Sequence, residues 1–418
     1  MLTTTGASSI QPSEGQPSCV DFSNSESSRK RAVLYGLLIG DCLGSTSEFK
    51  HPKLEVPKLI SKESTGWPFQ LQSNFTWKKG ESTDDGDMAL CIVKSFYLLK
   101  SQFDPKHVTQ QYLEWLDTDP KDVGFTTRQA LLKTKKYLDQ NCDENGWYRG
   151  SLELFNENES KPANGALMRN GVIPLLTSDM MQALEWTILH SIITHYSFEA
   201  VLPCIIHTIL IHKALQAHNN NLPLEYPTSK TISELLKGHT GEWFEFKSKY
   251  LYQKVETGSV TKYHSVLTEW VRVNGGKIAL EMAETKLVNE LQDFETFEPY
   301  EYNYKNVSGW SILSLKIALW ALYHSRSTRQ DDYTNFTPIP APSHLPKWPF
   351  EKQPKGFESI VFVVMIGADA DTYGAITGPL MGAYYPENIP QAMIHDLMQR
   401  ETVEKYANHL WSASMYED

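Results

Sequence analysis

The chain is short of positive charge: 39 Lys and Arg stand against 50 Asp and Glu, a net charge of −11 over 418 residues. Opposite signs are interspersed along it, so no basic face is available for a phosphate backbone and nucleic acid is not an expected partner. An anionic ligand would have to rest on backbone amides, helix N-termini or a metal. Cysteine is scarce as well. The five residues, at positions 19, 42, 91, 142 and 204, form no CxxC pair, and their odd number leaves one unpaired. Such usage suits a reducing compartment. No long apolar run is present. The most apolar stretch, 188–211, is interrupted by His190, His195, Glu199 and His207, whereas a membrane span needs about 20 mostly apolar residues. Residues 1–28 have neither a basic n-region nor an apolar h-region, which argues against a secretory signal. Their Ser/Thr/Gly/Pro/Gln bias reads as a disordered tail, with order beginning near Arg29. A cytoplasmic protein, in its own cell or a host cytosol, is the expectation.

What is present is an ordinary globular composition, 41% hydrophobic and 21% charged, with ample chain for a core. No regular series of short alternating strands and no internal repeat is found. From Arg29 onward apolar residues recur at i, i+3, i+4 in segments 31–44, 88–100, 107–116 and 126–139. The same period returns in 180–190, 198–215, 232–237, 277–292, 310–324, 371–384 and 389–411, which predicts an all-α domain over 29–418. The run IVFVVMIG at 360–367 fits a strand or a buried helix equally. Two stretches break the rhythm and read as irregular insertions: 217–305, polar and aromatic-rich, and 325–356, dense in proline.

Acidic residues cluster at two helix starts. Thr83, Asp84 and Asp85, followed by Gly86 and Asp87, stand immediately before the 88–100 period; Asp369, Asp371 and Thr372 stand before 371–384. Ser82 three residues ahead of Asp85 reads as a capping box, with acids favoured by the helix dipole. Adjacent carboxylates repel, however, unless a cation lies between them. Brought together, the two clusters would form a hard-oxygen site for Mg²⁺ or Mn²⁺, not zinc, with room for two ions. Other strings read more weakly alone. Gly40 to Glu48 closes the first helix, where glycines serve either a ligand or close helix packing. Asn164-Gly165 is a turn signal, with Met168 in an apolar run behind it. His195 lies in an apolar helical region and reads alone as a core histidine.

In this order the strings resemble the ADP-ribosylglycohydrolase family, which includes ADP-ribosylarginine hydrolase and the dinitrogenase reductase-activating glycohydrolase. The matching pieces are GLLIGDCLGSTSE, STDDGDMAL, KDVGFTTRQAL, NGALMRNGVIPL, THYSFEA, SGWSILSLKIALWAL and GADADTYGAITGPLMGAYY. They cover most of residues 30–385 outside the two irregular stretches.

The resemblance implies a compact all-helical fold around a central cleft with two Mg²⁺ ions, Mn²⁺ being an alternative. It implies Thr83, Asp84, Asp85, Asp369, Asp371 and Thr372 as ligands, and Glu48 as an acidic residue beside the metals and the distal ribose. Asn164, Gly165, Met168 and His195 match the surface around ADP-ribose, and Gly374, in the second metal motif, is expected to bind substrate as well. Asp122 and Gly124 match the loop of the nitrogenase-regulating branch, where an Asp is thought to assist ribose ring opening. Catalysis is accordingly expected from Glu48, Asp84, Asp85 and Asp122. The implied activity is removal of mono-ADP-ribose from protein side chains, most plainly from arginine, by a monomer. Serine-linked, polymeric or O-acetyl ADP-ribose are alternative substrates, and a non-catalytic ADP-ribose-binding module is the alternative class. A haloacid-dehalogenase-type phosphatase fits poorly, because Thr372 directly follows Asp371 and no βαβ series surrounds it. Three departures stand out: Gly86 where a second Thr is common, Tyr373 where smaller or polar residues are common, and Pro379 inside a helical period. Tyr373 is expected to shape the pocket rim, and Pro379 to kink its helix.

Overall fold

The computed structural model describes residues 19–50, 76–140, 145–158, 161–252, 261–326 and 356–411. Among them lie 16 α-helices and almost no sheet. The first group is α1 (Glu26–Gly44), α2 (Asp84–Leu98), α3 (Pro105–Leu116), α4 (Phe125–Asp139) and α5 (Arg149–Asn156). Then come α6 (Met180–Ile192), α7 (Phe198–Asn219), α8 (Ser229–Lys237), α9 (Glu242–Phe246), α10 (His264–Val273) and α11 (Gly276–Leu291). The chain continues through α12 (Ser311–His324), α13 (Ile360–Val364), α14 (Ala370–Tyr384), α15 (Gln391–Asp396) and α16 (Arg400–Leu410). The expected all-α class is what the structure has.

At the centre, α1 and α14 run antiparallel with their backbones in contact. Glycines recur every four residues on both: 36, 40 and 44 on α1, and 374, 378 and 382 on α14. A Cβ on Gly36 would lie 2.2 Å from the Gly378 carbonyl oxygen, and one on Gly40 would lie 2.1 Å from that of Gly374. At Gly44 the partner is the Ala370 carbonyl oxygen, at 2.2 Å. Only glycine permits that approach. The close-packing reading of the Gly40 string is therefore correct, and Gly374 faces α1 rather than a ligand. Pro379 leaves α14 continuous, and its ring packs where Gly171 has no side chain. His207 Nε2 donates to the Ile376 carbonyl (2.8 Å), beside the gap that proline leaves in the hydrogen-bond ladder.

Several expected boundaries move. Residues 1–18 of the expected tail lie outside the described residues, but 19–28 are structured. Cys19–Val20 pairs antiparallel with Ile389–Pro390, and Ser25 Oγ caps α1 by accepting from the Ser28 amide at 3.1 Å. The stretch 217–305, expected to be irregular, holds α8 to α11 and a π-helical turn at Lys247–Leu251. Its anchor is polar: buried Glu284 accepts from Lys247 Nζ and Trp243 Nε1, each at 2.6 Å. The periods read at 232–237 and 277–292 fall in α8 and α11, whereas α9 is five residues long and the π-helical turn after it is as brief, too short to show a period. Most of the second insertion, 327–355, lies outside the described residues, as does Cys142. The run 360–367 starts as helix α13, and the period 389–411 breaks into two helices after Asp396. One helix, α7, is long and apolar enough to cross a membrane by length and composition, but 89% of its apolar window is buried in protein, as in a core helix.

Adding one methyl between α1 and α14 tests this packing. Gly40→Ala is expected to destabilise the fold by about 2 kcal/mol or more, read as a fall in thermal midpoint.

Candidate functional site

The glycine contact fixes where the two acidic helix starts meet. At the start of α2, Thr83 is the N-cap, with its hydroxyl accepting from the Asp85 amide at 3.3 Å. The cap is thus one residue later than the expected Ser82, whose hydroxyl donates instead to Asp87 (2.5 Å). Asp87 also accepts from Trp115 Nε1 (3.1 Å), so it belongs to the wall rather than the cleft. The α2 amides are held by an acid that sequence reasoning missed. Buried Asp41 accepts from the Thr83 amide (3.0 Å), the Thr83 hydroxyl (2.8 Å) and the Gly86 amide (3.0 Å). A Cβ on Gly86 would lie 2.6 Å from Asp41 Oδ2, which accounts for glycine at that departure. The signal was available: Asp41 is the one acid inside the apolar segment 31–44.

At the start of α14 the chain turns through Gly367 (φ 69°) and Ala368 (φ 53°), both left-handed. The turn presents Asp369 and Asp371. Thr372 Oγ1 donates to Asp85 Oδ1 at 3.3 Å, a direct bond between the two clusters. Asp369 Oδ2 accepts from Asn164 Nδ2 (2.7 Å), whose other proton goes to Ser314 Oγ (2.9 Å). The loop after α1 is tied to the same turn: Ser47 Oγ donates to the Val364 carbonyl (2.8 Å), and the Phe49 amide donates to that of Ala368 (2.6 Å). That loop carries Glu48. Oxygens of Glu48, Asp122 and Asp371 lie within 4.8 Å of one another. The Gly124 amide donates to Asp84 Oδ2 at 3.2 Å, which draws the Asp122–Gly124 loop onto the cluster.

All eight acidic or hydroxyl residues expected at the cleft therefore meet in one place: Glu48, Thr83, Asp84, Asp85, Asp122, Asp369, Asp371 and Thr372. Among the described residues no Lys or Arg forms an ion pair with them. Burial pushes the carboxyls of Glu48, Asp84, Asp85, Asp369 and Asp371 up, and the neighbouring carboxylates push further. Glu48 rises to about 8, with Asp122 beside it, and Asp84 to about 7. Asp41 rises to about 8, mainly by burial. Asp85 and Asp371 stand well above the usual carboxylate range, and Asp369 is raised. Buried Asp85 Oδ2 has no hydrogen-bond partner among the described residues. A buried, all-oxygen donor set with an orphaned lone pair and no protein cation suits a hard divalent ion.

The opposite wall is a tautomer-setting relay. Arg169, fully buried, donates to the Gly165 carbonyl, to the His190 carbonyl (3.4 Å) and to Thr194 Oγ1 (2.6 Å). Among the described residues the Thr194 hydroxyl proton has no acceptor but His195 Nδ1 (2.8 Å), and that need assigns the donor. His195 then carries its own proton on Nε2, which has no partner among the described residues. Burial, with the Arg169 charge, depresses its pKa to about 3, so the ring is neutral. A Cβ on Gly165 would lie 2.8 Å from His195 Cε1 and 2.9 Å from Thr127 Oγ1, so packing requires glycine there. Met168 sits in the core, 3% exposed. Tyr373 is not a rim residue: it is fully buried, and its hydroxyl donates to the Ser308 carbonyl at 2.9 Å.

The profile of the ADP-ribosylglycohydrolase family matches residues 23–417. The chain belongs to that family. An ADP-ribosyl glycohydrolase of Acanthamoeba polyphaga mimivirus, L543, is 24% identical over 391 residues, 91% of this chain and 94% of that protein. ADP-ribosylarginine hydrolase Tri1 of Serratia proteamaculans is 22% identical, covering 96% of this chain and 84% of its own. ADP-ribosylhydrolase ARH3 of Gallus gallus is also 22% identical, over 91% of this chain and 92% of its own. A solved ADP-ribosylglycohydrolase-related protein complex superposes with a TM-score of 0.54 at 21% identity, over 92% of this chain and 98% of that one. As an ADP-ribosylglycohydrolase, the chain carries an acidic cluster that suits the metal dependence of its family.

Two outcomes are expected. Without divalent ions the folded cluster holds protons that the unfolded chain, with carboxyl pKa values near 4, releases. Stability in chelator therefore falls as pH rises through about 7 to 8, the folded values of Asp84 and Glu48. Thermal midpoints in EDTA should be higher at about pH 7 than at about pH 9, and added Mg²⁺ should shrink the difference. Second, Thr194→Val should lose the single Nε2–H tautomer of His195, visible in its ¹⁵N shifts, and lower kcat/KM roughly tenfold. Thr194→Ser should restore both.

Proposed function

We propose that the chain hydrolyses the N-glycosidic bond between ADP-ribose and a protein arginine, reversing mono-ADP-ribosylation. The observation that carries this reading is the position of Asp122, whose carboxylate joins those of Glu48 and Asp371 within 4.8 Å. The similarity to Tri1, an ADP-ribosylarginine hydrolase, supports the same linkage.

The bond to be broken joins C1″ of the distal ribose to a guanidine nitrogen, and its cleavage leaves positive charge on the sugar. Thr83, Asp84 and Asp85 from α2, with Asp369, Asp371 and Thr372 from α14, would hold two Mg²⁺ ions. Such ions supply Lewis acidity, orient vicinal hydroxyls and lower the pKa of water. The protein's own groups do the rest. Glu48 is half-buried at the junction of the two clusters. Its oxygens are placed to take the proton of the water that adds to C1″. Asp122, on a loop tied to Asp84, is placed to move a proton at the ring oxygen during ring opening. The leaving guanidine takes up a proton and departs as guanidinium. His195 offers a neutral Nε2–H to a ribose or phosphate oxygen, a donor that adds no charge. With no basic patch at the site, pyrophosphate oxygens would accept from backbone N–H groups next to the Asn164–Gly165 turn, the Asn164 amide itself being held by the Gly309 carbonyl (2.9 Å).

Incubation with arginine-linked and serine-linked ADP-ribosyl peptides, with Mg²⁺ or with EDTA, tests this function. Mg²⁺-dependent release of ADP-ribose from the arginine linkage is expected. Glu48→Gln should lower kcat by about 10²-fold or more with little change in affinity. Asp122→Asn should lower kcat for the arginine linkage. Release from serine alone, or an active Glu48→Gln, would contradict the assignment.

A further inference from the structure

Most large hydrophobic side chains in the described residues are buried, but two phenylalanines beside the cleft are not: Phe49 is 74% exposed and Phe125 71%. Phe49 follows Glu48 directly. Phe125 follows Gly124, on the loop that carries Asp122. Neither position is accidental in its backbone. Phe49 has φ 54°, a left-handed conformation that a bulky residue adopts only when its surroundings enforce it. The enforcement is visible: its amide donates to the Ala368 carbonyl (2.6 Å), and Ala368 is itself left-handed at φ 53°. Its neighbours are pinned too, Ser47 Oγ on the Val364 carbonyl at 2.8 Å and the Glu48 amide on that of Gly44 at 3.0 Å. Phe125 opens α4, and the preceding Gly124 amide donates to Asp84 Oδ2 at 3.2 Å. The two rings are thus rooted next to carboxylates that approach within 4.8 Å.

We propose that Phe49 and Phe125 form an aromatic rim that receives the guanidinium of the modified arginine, and so select cationic acceptors over serine. The inference rests on the arginine-linked reading above. Its physics is the attraction between a cation and a ring face, added to the field of Glu48 and Asp122. A guanidinium is planar and weakly hydrated, and it stacks on aromatic faces; a neutral serine ester or ether gains nothing there. Lys50 and Arg128 follow the two rings in sequence, but both are exposed, where solvent screens their repulsion. The strain at Phe49 fits this role, because a ring held outward in advance loses little freedom on binding.

Kinetics on ADP-ribosylarginine, with free ADP-ribose as a competitive inhibitor, separate the alternatives. Phe49→Ala and Phe125→Ala are each expected to raise KM roughly 3- to 10-fold. The inhibition constant of ADP-ribose, which lacks the acceptor, should not change. Phe→Trp should keep wild-type KM, and Phe→Leu should behave like Ala, since it retains apolar contact without a ring face. Unchanged KM in both Ala variants of an enzyme that cleaves the arginine linkage would overturn the rim alone. A parallel rise in the ADP-ribose inhibition constant would place the rings on the nucleotide and also overturn it, as would full activity in the Leu variants. A wild type that cleaves only the serine linkage removes the functional reading itself, and the guanidinium with it.

Discussion

Everything at the site depends on the bare backbone contact between α1 and α14. Six glycines at four-residue spacing let two helices lie with carbonyls against Cα atoms, and the antiparallel register sets Gly44 against Ala370 and Asp371. Glu48 leaves the end of α1 at the place where α14 begins. A wider spacing would separate the Glu48 loop from Asp369 and Asp371. Asp41 adds the third side of the triangle, because its carboxylate on α1 accepts from the first amides of α2. The scaffold therefore assembles its acids with backbone contacts and one buried carboxylate, and leaves the remaining carboxylates to a ligand.

That arrangement has an electrostatic consequence. Buried carboxylates this close repel one another, and burial disfavours their charge. Two things offset the cost within the protein: helix N-termini, whose dipoles favour negative charge, and hydrogen bonds from Asn164, Gly124 and Thr372. Neither supplies a positive charge. Protons offset part of the cost, as the raised values of Glu48 and Asp84 record, and the donor chemistry of the cluster suits a hard cation. The His195 wall follows the opposite rule. There the charge is permanent, on Arg169, and it lies one hydroxyl away from the histidine whose proton it places. One wall offers carboxylates that suit a cation, and the other keeps a neutral donor beside a buried Arg169.

Much of this was legible in the sequence, because helical period and acid-rich helix starts are local signals. The two acidic clusters are short strings in which residue type and position carry the chemistry. Their meeting needed the family resemblance, since nothing local connects Asp85 with Thr372. Gly374 and Tyr373 were misread for the same reason. Beside a metal motif they look functional, yet helix periodicity turns Gly374 to α1 and Tyr373 to the Ser308 carbonyl. Asp41, Thr194 and Arg169 were missed because buried polar groups look like noise within an apolar period. Within 217–305 the periods at 232–237 and 277–292 marked α8 and α11, whereas α9, five residues long and held through Lys247–Glu284–Trp243, was too short to show one.

The central claim is that one cation site is built from both helix starts at once. Equilibrium binding of Mn²⁺, followed by the loss of its free-ion electron paramagnetic signal, tests it directly in wild type, Asp85→Ala and Asp371→Ala. A shared site predicts that each single variant weakens binding by about tenfold or more while its far-ultraviolet dichroism stays helical. Wild-type affinity in either folded variant would mean that the helix starts act separately, and would contradict the account.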